Sequence, residues 1–149
     1  MMKPESSARR QPVKYRQLPH TADMAWRIRG ESLPELFENA AGALMATMTD
    51  RRYLRRREKR EIEVVAPDRE ALLVDWLNRL VYLFEVDGFW GREFKVSSLT
   101  DQHLQATAWG ERFDPERHPG KTAVKAATYH YLEIVPQGEG WQATVILDL

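Results

Sequence analysis

Three aspartates lie far apart in this 149-residue chain: Asp23, Asp50 and Asp148. Asp23 directly precedes Met24-Ala25-Trp26-Arg27-Ile28-Arg29, which alternates apolar and polar as a half-buried strand does. Asp148 ends a second alternating run in which Trp141, Ala143, Val145 and Leu147 face one way. Asp148 then faces the other way with Thr144 and Ile146. The terminal carboxylate of Leu149 is one residue further on. Anionic groups that close repel one another unless they are solvated or share a cation. Hard oxygen donors of this kind suit calcium, magnesium or manganese. Asp50 stands at the C-terminal end of the first predicted helix, the wrong pole for an anion, and needs a compensating charge there. The alternative is that all three are exposed turn or terminal carboxylates, and dispersed aspartates form no local motif that separates the two readings.

The other candidates are weaker or more general. His20 lies three residues before Asp23, where it could hydrogen-bond within that turn or approach a metal, and a structural histidine is the reading favoured. His20, His103, His118 and His130 show no metal-ligand spacing, so nothing points to zinc. Lys125 is expected in a strand with Ala123 and Ala127 on its own face, either aimed into a site or snorkelling at the surface. The densest charge is Arg51, Arg52, Arg55, Arg56, Arg57, Lys59 and Arg60 against Glu58. Such a run either binds RNA phosphates or an acidic protein patch, or is a solvated loop leading to a strand edge. Asp75 and Arg79 have the spacing of a surface ion pair on a helix. Gly120-Lys121-Thr122 ends like a phosphate-binding loop, but Pro115 stands where that loop needs its first glycine. No nucleophile elbow and no dinucleotide glycine fingerprint is present.

Composition narrows the classes. There are no cysteines, which removes disulfides, thiolate nucleophiles and cysteine-based metal sites, and is compatible with a reducing cytoplasmic location. The 43% apolar content is that of a globular chain, and the length suits one domain. No segment is long and apolar enough for a membrane span or a secretory signal. The net charge is zero but unevenly distributed, which favours steering of a charged partner.

Residues 1–14 read as a disordered basic tail and residues 15–149 as a single domain. Tyr15 to Leu18 is a short predicted strand. Ser32 and Glu35 have capping-box spacing ahead of Leu36, Phe37, Ala40, Ala41, Leu44, Met45 and Met48, one apolar helical stripe. Glu61 to Val65 alternates as a strand. Asp68 caps a second helix whose apolar face carries Leu72, Leu73, Trp76, Leu77, Leu80 and Phe84, with Asp75, Asn78, Arg79 and Tyr82 opposite and Gly88 as its stop. From Glu93 onward only strands are predicted, one of them running from about Val124 to Ile134. Helices early and strands late imply an α+β fold: a mainly antiparallel β-sheet with two amphipathic helices packed on one face, in a single compact domain.

Taken in order, His20-Thr21-Ala22-Asp23, Leu36 to Ala41 running on to Met48-Thr49-Asp50, Leu72 to Asn78, Val124 to His130 and the closing Ile146-Leu147-Asp148-Leu149 resemble the archease family. The resemblance covers about Tyr15 to Leu149, and it is the ordered set that is specific. It implies a domain without catalytic power of its own that acts on a partner, an RtcB-type RNA ligase of tRNA splicing and RNA repair that uses GTP and manganese. In that family the accessory protein promotes transfer of GMP onto the ligase and lets it turn over repeatedly. Carried over, the family's metal site falls on Asp23, Asp148 and Leu149, with Asp50 a nearby acidic member and Lys125 the family's lysine. The departures are the arginine-rich stretch Arg51 to Arg60 and the extra N-terminal tail. Two further functions stay open: a chaperone-type module acting on RNA or on RNA-processing enzymes, and a stand-alone metal-dependent phosphohydrolase, for which no general base is identifiable.

Overall fold

A computed structural model of the chain describes residues 13–18, 23–130 and 132–149. The expected class is found. Two helices pack with eight strands: β1 (Tyr15–Leu18), β2 (Met24–Gly30), α1 (Leu33–Met48), β3 (Glu58–Val65), α2 (Arg69–Asp87), β4 (Phe89–Leu99), β5 (His103–Arg112), β6 (Ala126–Thr128), β7 (Ile134–Gln137) and β8 (Gly140–Asp148). Every pairing is antiparallel. The strands divide into two sheets, where the sequence suggested one. In the first the order is β1-β2-β8-β6, with β7 also on β8, and in the second it is β3-β5-β4. Alternation reveals which face of a strand is buried, but the choice of partner strand is made by long-range packing.

The helices bridge the two sheets. α1 touches β2 and β8 of the first sheet and β4 of the second, while α2 touches β6 and all three strands of the second. This explains why α1 is buried well beyond one stripe, with Asn39, Ala43 and Thr47 covered as well. The extra buried polar groups have partners: Asn39 donates to the Arg29 carbonyl (2.7 Å), and Thr47 Oγ1 accepts from Trp26 Nε1 (2.9 Å) while donating to Ala43 (3.0 Å). Trp76 is fully buried and donates to the Phe37 carbonyl (2.9 Å), joining the helices.

Local signals act as the sequence suggests. Ser32 Oγ accepts from Glu35 N, and Glu35 Oε1 reaches back one residue beyond the cap to the Glu31 N–H. Asp68 caps α2 through Ala71 N, and Gly88 closes it in the left-handed region at φ 66°. Some boundaries differ. β3 begins at Glu58 and takes in the end of the basic run, and β4 begins at Phe89. The long strand expected over Val124 to Ile134 is two short ones, separated by a turn in which Leu132 N bonds to the Tyr129 carbonyl (3.1 Å). Lys125 therefore precedes β6 instead of lying within a strand, and it is exposed while Ala127 is buried, so the two do not share a face.

Candidate functional site at the acidic end of the first sheet

β8 runs between β2 and β6, and its register gathers the acidic candidates. Met24 pairs with Leu147 as the last pair of the β2–β8 ladder, and Asp23 and Asp148 are the residues next to it on the two strands. On the other edge Ala126 pairs with Asp148, and the Lys125 N–H donates to the Asp148 carbonyl (2.8 Å). Asp148 and Leu149 are exposed, while Asp23 is half-buried and engaged in contacts of its own. His20 lies outside the described residues.

The C-terminus of α1 packs beside the start of β2, where Thr47 Oγ1 also meets Met24 Sδ (3.6 Å). Its last carbonyls have no partner within the helix. Lys121 N donates to Met48 (3.0 Å), Thr122 N to Thr47 (3.1 Å) and Lys121 Nζ to Ala46 (3.3 Å). The segment that ended like a phosphate-binding loop thus caps a helix. Thr49 Oγ1 adds a bond to the Pro119 carbonyl (2.6 Å). Asp50 follows as the cap of a 3₁₀ turn, Arg51–Tyr53. The compensating charge it needs is Arg52, whose guanidinium binds both carboxylate oxygens at 2.6–3.1 Å. Hydrogen bonds from the Arg52 side chain and backbone hold the Asp50 carboxyl at about 2, with Lys121 adding a smaller pull.

Among the described residues no group of three or more His, Cys, Asp or Glu side chains is placed to hold a metal. The donor set at this end is two aspartates plus the main-chain oxygens of Leu149, all hard oxygen and suited to calcium, magnesium or manganese. Asp50 would join only by releasing Arg52. Lys125 reaches this end through its backbone.

The basic run is largely neutralised within the domain. Arg52 pairs with Asp50, Arg56 with Glu93, Arg57 with Glu111 (3.7 Å), Lys59 with Glu61 (3.5 Å) and Arg60 with Glu58 (3.0 Å). Arg56 also lies over Trp109 and Arg60 over Phe89. Arg51 donates to the Arg92 carbonyl (3.0 Å), and Arg92, the extra residue of a bulge in β4, returns bonds to the carbonyls of Arg51 and Leu54. Arg55 contributes its backbone N–H to Glu111 (2.9 Å). The run is thus tied to the fold at several points, while Arg52, Arg56, Arg57 and Lys59 stay exposed.

Glu111 is the residue that a reading of the sequence misses. It is 3% exposed, and it accepts from Arg117 (2.5 Å), His118 Nε2 (2.9 Å) and Arg55 N. His118 Nδ1 accepts from Asp114 N (2.8 Å), so Nε2 carries the proton. Burial pushes the Glu111 carboxyl up, and the bonds from His118, Arg117 and Arg55 outweigh it, leaving it at about 2. Asn78, placed by periodicity on the polar face of α2, clamps β6 from both sides: it donates to the Ala127 carbonyl (3.2 Å) and accepts from Ala127 N (2.7 Å). The expected Asp75–Arg79 pair is not formed among the described residues; Asp75 faces the Tyr129 hydroxyl instead (3.5 Å).

With this geometry in place, the likeness to known proteins is decisive. The archease protein family model matches residues 15–149. The chain belongs to the archease family. An archease of Methanosarcina mazei is 41% identical over 145 residues, covering 93% of this chain and 98% of that protein. One from Pyrococcus furiosus is 38% identical over 135 residues, covering 87% and 94%. The solution structure of a protein from Methanobacterium thermoautotrophicum superposes with TM-score 0.76 at 35% identity, covering 91% and 99%. An archease from Thermotoga maritima, described as a possible chaperone, shares the fold at TM-score 0.64 and 24% identity, over 94% and 97% of the two chains. No helix among the described residues of this archease-family chain is long and apolar enough to cross a membrane.

Proposed function

We propose that this chain is a non-catalytic accessory factor that promotes guanylylation and repeated turnover of an RtcB-type RNA ligase, in tRNA splicing or RNA repair, through a divalent cation bound at its acidic end. Family membership supports the reading, and the observation that carries it is that the β2–β8 ladder ends at Met24–Leu147, with Asp23 and Asp148 the residues next to that last pair. A cation held by so few protein oxygens keeps open positions for water or for a partner's phosphates. Bound there, it would supply positive charge toward GTP phosphates. The chain's own residues do the positioning. Pairing with β2 on one edge and β6 on the other fixes the end of β8, and Lys125 N anchors the Asp148 backbone while leaving its carboxylate exposed. Arg52 holds Asp50 in an ion pair, so Asp50 does not compete for the ion.

The test is guanylylation and multiple-turnover ligation by a cognate ligase, with wild-type protein beside Asp23→Ala and Asp148→Ala. Stimulation by wild type and its loss, of about tenfold or more, in both folded variants is expected. Full stimulation by either folded variant overturns the role given to the acidic end. No stimulation by wild type with a competent ligase overturns the choice of partner. GTP turnover by the purified protein alone, abolished by Asp148→Ala, would instead make it an enzyme.

A further inference from the structure

The first sheet turns one face toward the helices; its other face is open at Arg16 and Arg27 and closed at Ala25 and Ile146, which are buried. On the outward face Arg16 of β1 lies directly opposite Arg27 of β2, and Arg29 is two residues further along that row. Across on β8 their neighbours are uncharged: Thr144 opposite Arg27 and Gln142 opposite Arg29. Arg16 and Arg27 are exposed and Arg29 is half-buried. Among the described residues none of the three guanidiniums is paired with a carboxylate. With Val13 and Gln142 they line a shallow hollow of about 270 Å³. Opposed like charges destabilise a sheet, so this corner keeps an uncompensated repulsion that a bound anion would relieve.

We propose that this face grips a single strand of nucleic acid through its phosphates. All three cations are arginines, whose planar fork matches a phosphate in two bonds at once. Residues two apart on a strand stand roughly 6.8 Å from each other, a spacing that suits neighbouring phosphates of an extended strand. Beside the arginines the face offers Gln142 and Thr144 and, among the described residues, no aromatic ring for a base to stack on, so the grip is indifferent to sequence. An acidic protein would satisfy the charge, but such interfaces draw their energy from buried anchors, and only Val13 in the hollow is apolar.

Asp148 lies four residues along β8 from Thr144, roughly 14 Å from the arginines, with the buried Ile146 between them. The binding does not rest on the accessory reading.

The experiment contains no ligase and so fails or succeeds independently of that reading. Fluorescence anisotropy of a labelled oligouridylate of about a dozen nucleotides is followed between about 50 and 200 mM salt. Wild type is expected to bind with a log–log salt slope of about −2, as three neutralised phosphates of a single strand require. Arg16→Gln/Arg27→Gln/Arg29→Gln should lose affinity about tenfold or more and most of that slope. Arg52→Gln/Arg56→Gln/Arg57→Gln should keep both. Should the triple variant fail to fold by circular dichroism, Arg16→Gln and Arg27→Gln alone should each reduce the slope by about 0.7. Absent binding by wild type, undiminished binding by the folded face variants, or equal loss in the Arg52/Arg56/Arg57 variant overturns the proposal. Capture of a polyglutamate peptide in place of the oligonucleotide overturns it in favour of an acidic protein.

Discussion

Two basic regions of this molecule invert what their sequences suggest. Residues 51–60 hold seven cations against one anion, yet folding brings Asp50, Glu61, Glu93 and Glu111 alongside them and puts two of the guanidiniums over aromatic rings. Arg16, Arg27 and Arg29 are spread over fourteen positions and form no run, yet antiparallel pairing sets them side by side with no counter-charge among the described residues. Charge density along a chain and unpaired charge in space are different quantities. The second decides where an anionic partner is held, because a paired cation must first give up its internal partner.

The largest expected effect tests the neutralised region. Glu111 is buried and binds Arg117, His118 and the Arg55 backbone, with Arg57 close by. Glu111→Gln leaves these groups facing a neutral amide and should cost roughly 3 kcal/mol in urea unfolding. The sign of the pH effect follows from the carboxyl being held at about 2, below its usual 4.5. Its stabilisation is complete above pH 4.5 and is lost as pH falls from there toward 2. The variant should therefore lose less stability than wild type across that window, and parallel acid unfolding curves would show that Glu111 does not anchor the run.

Asn78→Ala comes next. It leaves the Ala127 N–H and carbonyl without their side-chain partners at the strand that borders Asp148, and should cost about 2 kcal/mol. Faster amide exchange confined to β6 and the end of β8 would mark the acidic end as held from α2. Unchanged exchange there would show that β8 alone orders it.

How much of this was legible follows from the range of each signal. Ser32, Asp68 and Gly88 act within one helical turn, so both helices could be placed from local residues. Asp148 is exposed, as the alternation of Trp141 to Leu147 suggested, but Ile146, which the same alternation set beside it, is buried. The division into two sheets, the split between β6 and β7, and the role of Asn78 depend on contacts across tens of residues, which no local period records. At the site, the ordered family segments named Asp23 and Asp148, and only the β2–β8 register brings the ends of their two strands side by side, through Met24 and Leu147. Glu111 was hidden for a further reason: a lone glutamate in Trp109-Gly110-Glu111-Arg112 looks like any surface strand residue until Arg55, Arg117 and His118 converge on it.

A smaller effect tests pairing within the run itself. Arg52→Gln removes the charge that holds Asp50 at about 2 and should move its carboxyl up toward 3.8, read by carboxyl carbon NMR. The pair is exposed, so thermal stability should barely change. A carboxyl that stays low would mean that Lys121 or the helix-capping loop carries the compensation.

The smallest effect separates the regions most cleanly because its sign is unusual. Arg16 faces Arg27 directly across the β1–β2 ladder. Arg16→Glu replaces a repulsive pair with an attractive one and should raise stability by about 0.2–1 kcal/mol. The same change removes one guanidinium from the outward face and masks a second, so affinity for an oligonucleotide should fall even as the fold gains. A merely structural arginine would move both readouts together. Arg57→Glu at the basic run should do the reverse, placing a carboxylate beside buried Glu111 and lowering stability, with oligonucleotide affinity left near that of wild type. If stability and affinity instead change in the same direction at Arg16, the three arginines serve the sheet, and the contrast between the two regions is one of position alone.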